Sequence, residues 1–105
     1  MNPSGKKPRR KLSASAKNSI KLFKAVSHEL RQEILVLLSQ EETRRLSPNE
    51  ISKLTGEGLS KVSYHVKILK DFKCIRPRGT EPRRGAVEHF YVLNEKGEEA
   101  LELLS

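Results

Sequence analysis

Between Leu59 and Phe72 the chain reads Leu-Ser-Lys-Val-Ser-Tyr-His-Val-Lys-Ile-Leu-Lys-Asp-Phe. Ser60, Lys61, Ser63, Tyr64 and Lys67 gather hydroxyls and amines in this stretch, with Asp71 as its only carboxylate and that one near the end. These are hydrogen-bond donors, and none of them forms an obvious nucleophile–base pair. The chemistry they offer is recognition, by donation to phosphate oxygens and to base edges in a major groove. A second set, Arg78, Arg83 and Arg84, stands in a segment rich in Pro and Gly and is opposed by Glu81.

Recognition of this kind needs rigid elements to aim the donors. Val62, Val66 and Leu69 recur at i, i+4 and i+7, which predicts a helix from Leu59 to Phe72 with its polar residues outward. Ser60 is its expected N-cap. Ile68 lies off that stripe, and the hairpin that follows is expected to cover it. Upstream, Ser47-Pro48-Asn49-Glu50 carries the signature of a capping box with Pro at the first helical position. It opens a short helix, about Pro48 to Thr55, with Ile51 and Leu54 inward and Gly56 as the left-handed terminator. A short helix, a glycine-containing turn and a second helix with a polar outer face make a helix-turn-helix.

Downstream, Cys74-Ile75-Arg76 predicts a short strand, Pro77 to Gly85 a long loop, and Ala86 to Leu93 a returning strand. The three arginines then sit on a wing, placed to lie on phosphates or in a minor groove. Two helices are expected before the pair, at about Ala16 to Val26 and, capped by Ser27, at about His28 to Gln40. Leu30, Ile34, Leu37 and Leu38 mark the core side of the second, and Glu41 to Leu46 connects it onward. Asn94 can cap a last helix, about Glu95 to Leu104, whose leucines face the first helix within one chain or across a dimer. The fold class is mostly α with a β-hairpin wing, in the order α-α-α-α-β-β-α, over residues 15–105. Residues 1–14 read as a disordered basic arm, with Lys6, Lys7, Arg9, Arg10 and Lys11 and little to bury.

The chain has 105 residues and a net charge of +8, which suits a single small domain that attracts polyanions. With one cysteine and no tryptophan, an internal disulfide is excluded and a reducing interior is the expected home. No apolar run suggests a signal peptide or a membrane span. Gly56-Glu57-Gly58 follows no strand and lacks the rest of a nucleotide-binding loop. No paired carboxylates stand in an apolar setting, so no enzyme is expected. His28, His65 and His89 are far apart in sequence, and no cofactor or metal is expected. His65, at the flank of the stripe, suits a packing or hydrogen-bonding role, and Cys74 a small buried one.

Val62-Ser63-Tyr64-His65-Val66-Lys67-Ile68-Leu69 resembles the Val-Ser-His-His-Leu-Lys-Val-Leu motif of ArsR-like winged-helix repressors. Val26 to Leu35 is similar to that family's Leu-Ser-Asp-Pro-Thr-Arg-Leu-Arg-Ile-Leu segment, with Arg31 and Ile34 in register, and Glu50-Ile51-Ser52-Lys53-Leu54 to its Glu-Leu-Ala-Glu-Leu segment. The resemblance covers about Phe23 to Leu93. It implies a homodimeric, cytoplasmic, nucleoid-associated regulator that reads a pseudo-palindromic site on double-stranded DNA. The dimer is expected to form through the first and last helices. The chain departs from the family in lacking cysteines on the short helix, and in carrying Lys73 where a glycine is common. A winged helix that binds protein or RNA, or one that coats DNA without regard to sequence, is the alternative, because a fold does not fix its ligand.

Overall fold

The structure is a computed structural model that describes residues 14–104. The expected basic arm lies almost wholly outside the described residues. Ala14, assigned to that arm, instead opens the first helix.

Five helices and one hairpin follow the anticipated order: α1 (Ala14–Ala25), α2 (Glu29–Leu38), α3 (Pro48–Thr55), α4 (Leu59–Asp71), β1 (Ile75–Arg83), β2 (Ala86–Leu93) and α5 (Glu95–Leu104). The core lies where α2, α4 and the base of the hairpin meet. Ile34, Leu35, Ile51, Val62, Leu69, Cys74 and Ile75 are fully enclosed there. Fully burying one such aliphatic side chain stabilises the fold by roughly 1.5–3 kcal/mol. Leu35 is fully buried where Leu37 was expected to be and is only half-buried, because packing on both sides of α2 widens its apolar face.

The helix ends show how local chemistry sets the boundaries. Ser47 and Glu50 form the reciprocal capping box: the Glu50 N–H donates to the Ser47 hydroxyl at 3.2 Å, and the Ser47 N–H to the Glu50 carboxylate at 3.1 Å. Gly56 closes α3 in the left-handed region at φ 80°. Two expected caps are corrected. α2 is capped by His28, whose Nδ1 accepts from the Leu30 N–H at 3.1 Å, while the Ser27 hydroxyl donates back to the Lys24 carbonyl. α4 begins at Leu59 as expected, but its N-cap is Gly58, two residues before Ser60 and without a side-chain cap, which leaves Ser60 inside the first turn. The far end of α4 is a Schellman motif: Cys74 N–H donates to Leu69 O and Lys73 N–H to Lys70 O. Lys73 holds the left-handed position at φ 65° that glycine usually takes.

The hairpin differs most from expectation. In place of a long loop, β1 and β2 pair from Ile75↔Leu93 to Arg83↔Ala86, with an irregularity between Pro77 and Thr80. The turn is only Arg84-Gly85, both at positive φ (48° and 80°), as a type I′ turn requires. The prolines and Gly79 suggested a loop, but they fit at the irregularity and along a two-stranded ladder whose edges are open. The connection before α3 also contributes. Leu46 is buried and bridges Tyr91 through paired backbone hydrogen bonds of 3.1 and 2.9 Å.

Elsewhere the apolar side chains divide between inside and outside. Leu54 on α3 is exposed because Ile51 alone fills the contact beneath that helix. Ile68 is half-buried. Among the α1 side chains described, Leu22 and Ala25 are buried, while Ile20 and Phe23 face outward. On α5, Ala100 is buried and Leu101 half-buried, but Leu103 and Leu104 are exposed. α1 and α5 touch, as do α2 and α5. No helix among the described residues is long and apolar enough to cross a membrane.

Candidate nucleic-acid interface

At 100° per residue, the buried stripe of α4 (Val62, His65, Val66, Leu69) sits opposite a face carrying Ser60, Tyr64, Lys67 and Asp71. Ser60, Ser63, Tyr64 and Lys67 are all exposed. α3 packs along one flank of α4, so the two helices form a rigid unit with this polar face turned out. Lys61 lies off to the side, closer to the turn. Its ammonium pairs with Glu57 at 3.1 Å, and Lys67 pairs with Asp71 at 3.1 Å. Both pairs are exposed i, i+4 contacts worth about 0.3–0.5 kcal/mol, so an anionic ligand can displace either carboxylate at little cost.

A groove of about 310 Å³ runs between α4 and the returning strand of the hairpin. Ser63, Lys67 and Lys70 line it from the helix, and Val87 and His89 from the hairpin. Lys70 was missed in the sequence. It stands seven residues after Ser63, on the same face, and that spacing was the available signal. The wing arginines separate. Arg84 tops the turn, and Arg83 pairs with Glu88 at 3.3 Å. Arg78 lies nearer the base, beside Arg76 and Arg44.

Several contacts fix the wing to the helical body. The Arg45 guanidinium stacks 3.8 Å above the Phe90 ring and pairs with Glu81 at 2.6 Å. The fully buried Ser47 hydroxyl donates to Glu88. That donation, and then Arg83, hold the Glu88 carboxyl below its ordinary value of 4.5. None of these links was legible from the local sequence, since each joins residues distant in the chain.

Behind the polar face, His65 is 5% exposed and accepts at Nδ1 from Arg31 Nε–H at 3.0 Å. The His28 ring lies 4.3 Å from it and Tyr64 meets it edge-on. Arg31 also donates to the Ala25 carbonyl at 3.1 Å, so one guanidinium joins α1, α2 and α4. Burial pushes the His65 imidazole below 6.5, with His28, Arg31 and Lys61 adding to the effect and Glu57 opposing it. Cys74 is enclosed and its thiol is pushed up to about 11 by burial, which makes it an inert packing residue. No group of three or more potential metal ligands converges among the described residues.

No family model and no curated protein matches the chain. Solved structures do. Reduced HlyU from Vibrio cholerae is 27% identical, with 86% of this chain and 87% of that one covered and a TM-score of 0.66. A possible transcriptional regulatory protein from Mycobacterium bovis is 25% identical, with 87% of each chain covered and a TM-score of 0.64. A Mycobacterium bovis fragment described as a homodimeric winged helix-turn-helix DNA-binding domain, of a possible ArsR-family regulator, covers 96% of this chain and 82% of its own at a TM-score of 0.65 and 23% identity. The resemblance to ArsR-like winged helix-turn-helix regulators therefore extends from sequence motifs to three dimensions, and the fold class is a winged helix-turn-helix.

Proposed function

We propose that this chain is a transcriptional regulator, without enzymatic activity, that binds double-stranded DNA as a homodimer. The observation that carries this reading is the uncovered polar face of α4, held rigid by α3 and flanked by a basic wing. In this reading α4 enters the major groove. Ser63 and Tyr64 reach base edges, and Ser60, Lys61 and Lys67 reach phosphates or a guanine. Arg83 and Arg84 contact the flanking backbone or minor groove from the tip of the wing, and Arg78 adds its charge from nearer the base.

Dimerisation is supported by exposed apolar side chains on two neighbouring helices, Ile20 and Phe23 on α1 and Leu103 and Leu104 on α5. The homodimeric Mycobacterium bovis fragment supports it further. Two copies would set half-sites about one helical turn, roughly 34–36 Å, apart. The assignment as a repressor, working in the cytoplasm at the nucleoid, rests on the resemblance to ArsR-like repressors. Residues 15–105 then form the DNA-binding domain, and the basic arm before them adds charge along the duplex.

The test is selection from a randomised pool of duplex DNA across a salt series, with sequencing of what is retained. The proposal expects one pseudo-palindromic motif at physiological salt. A steep salt dependence without a motif would replace it with sequence-blind coating. No retention at low salt would overturn DNA binding in favour of a protein or RNA partner.

A further inference from the structure

A cleft of about 520 Å³ opens on the side of the molecule where the end of α2, the base of the hairpin and α5 meet. Its walls divide by chemistry. Leu38, Val92 and Leu101 give it an apolar floor, and all three are buried or half-buried. Arg44, Arg76 and Arg78 line it with guanidinium groups. Arg76 pairs with Val92 across the ladder, and Arg78, within the irregularity two residues on, lines the same cleft.

The charges in the cleft do not cancel. Arg44 is taken up by Glu41. Arg76 and Arg78 have no carboxylate partner among the described residues, and the other acid on the wall is Glu98 of α5. Two unpaired guanidinium groups over an apolar floor suit a planar anion with an apolar body, because the guanidinium fork matches a carboxylate in two parallel hydrogen bonds. The volume falls in the range of small-molecule sites. Nothing in the polar face of α4 accounts for this arrangement, since the cleft is built from other elements.

We propose that this cleft binds small apolar carboxylates, with Arg76 and Arg78 gripping the carboxylate and the floor of Leu38, Val92 and Leu101 holding an aryl or short alkyl body. The site joins the base of the wing to α5, and it stands whether or not the wing touches DNA.

The test is NMR titration of the whole labelled chain with benzoate, phenylacetate and hexanoate, followed at the methyl groups of Leu38, Val92 and Leu101. Saturable shifts at these methyls are expected, weakened about tenfold or more by Arg76→Gln with Arg78→Gln. They should be unchanged by Lys53→Gln on α3. Both arginines are exposed, and the amide spectrum of the double variant checks that its fold is kept. The comparison of benzoate with benzamide on the unaltered chain serves as a second arm that needs no variant. Equal binding of benzamide would overturn the carboxylate grip, and equal binding of acetate or inorganic phosphate would overturn the apolar floor. Absence of any saturable shift up to about 10 mM of all three acids would overturn the site.

Discussion

Arg31 on α2 donates its Nε–H to Nδ1 of His65 on α4, 3.0 Å away and almost out of reach of solvent. That bond exists only while His65 is neutral at Nδ1. Protonation would remove the acceptor and set a second cation against Arg31, with His28 and Lys61 close by and Glu57 the sole carboxylate opposing them. The folded form therefore holds His65 below 6.5. The unfolded chain binds this proton more readily, so its contribution to stability is complete above about pH 6.5 and declines as pH falls toward the folded value. Denaturant midpoints measured between pH 8 and 5 should fall on acidification in the unaltered chain. That component of the slope should vanish in His65→Asn, which also lowers stability at pH 8 by about 1–3 kcal/mol through the lost bond and packing. A slope unchanged by the substitution would exclude the mechanism.

Lys73 occupies the left-handed position of the Schellman motif at φ 65°. A side chain there crowds the backbone, and glycine relieves it. Lys73→Gly should raise stability by about 1 kcal/mol, and the β-branched Lys73→Val should lower it by at least as much. Thermal unfolding of the three chains side by side checks the order.

Gly97 lies against the hairpin base. A Cβ added there would stand 2.2 Å from the Cys74 carbonyl oxygen and 2.7 Å from a Leu93 methyl. The first is backbone and cannot swing aside. Gly97→Ala should therefore destabilise by about 2 kcal/mol, even though alanine is the better helix former by about 1 kcal/mol. Urea unfolding that showed a gain in stability would mean α5 shifts freely on the hairpin.

Ser47 serves both α3 and the wing. Ser47→Ala removes the cap for the Glu50 N–H and the donor to Glu88, and should cost about 1–2 kcal/mol. It should also return the Glu88 carboxyl toward 4.5. Because a carboxylate with a depressed value stabilises the fold above its unfolded pKa and loses that contribution as pH falls, the variant should show a shallower acid limb below about pH 4.5. Carbon-detected titration of Glu88 gives the value directly.

Arg84 separates binding from stability. Its φ of 48° in the type I′ turn suits asparagine better, so Arg84→Asn should hold or raise stability by a few tenths of a kcal/mol while weakening DNA binding and reducing the salt slope by about one phosphate contact. Tyr64→Phe should instead weaken binding by roughly 1–3 kcal/mol at one position of the selected site only, if its hydroxyl reads a base. Identical affinities for every sequence would remove Tyr64 from the readers.

The helical half of the molecule was legible because its signals are local. The capping box at Ser47, Gly56 and the Val62–Val66–Leu69 stripe each lie within a few residues, and each reappears in the fold. The hairpin is less legible because Pro and Gly are turn formers in isolation, whereas here a tight Arg84-Gly85 turn and an irregular ladder absorb them. The Leu46–Tyr91 bridge and the Ser47–Glu88 and Arg45–Glu81 contacts left no trace in the local pattern. The polar face of α4 was read from periodicity alone. Lys70 shares the flank of that face with Ser63 by its seven-residue spacing, and the groove against the hairpin brings both to one wall.

The Leu46–Tyr91 bridge has a mechanical consequence. A hairpin tied down only at its two ends would swing like a pendulum about Lys73 and Asn94. The bridge adds a backbone tether from the strap before α3, beside the Ser47–Glu88 and Arg45–Glu81 contacts, and tethers that do not share a line make a truss. Torque applied at Arg84 then passes through Tyr91 into the strap before α3, and so into the helix pair itself. Rotation of the wing is thereby coupled to α3 and α4 through backbone hydrogen bonds.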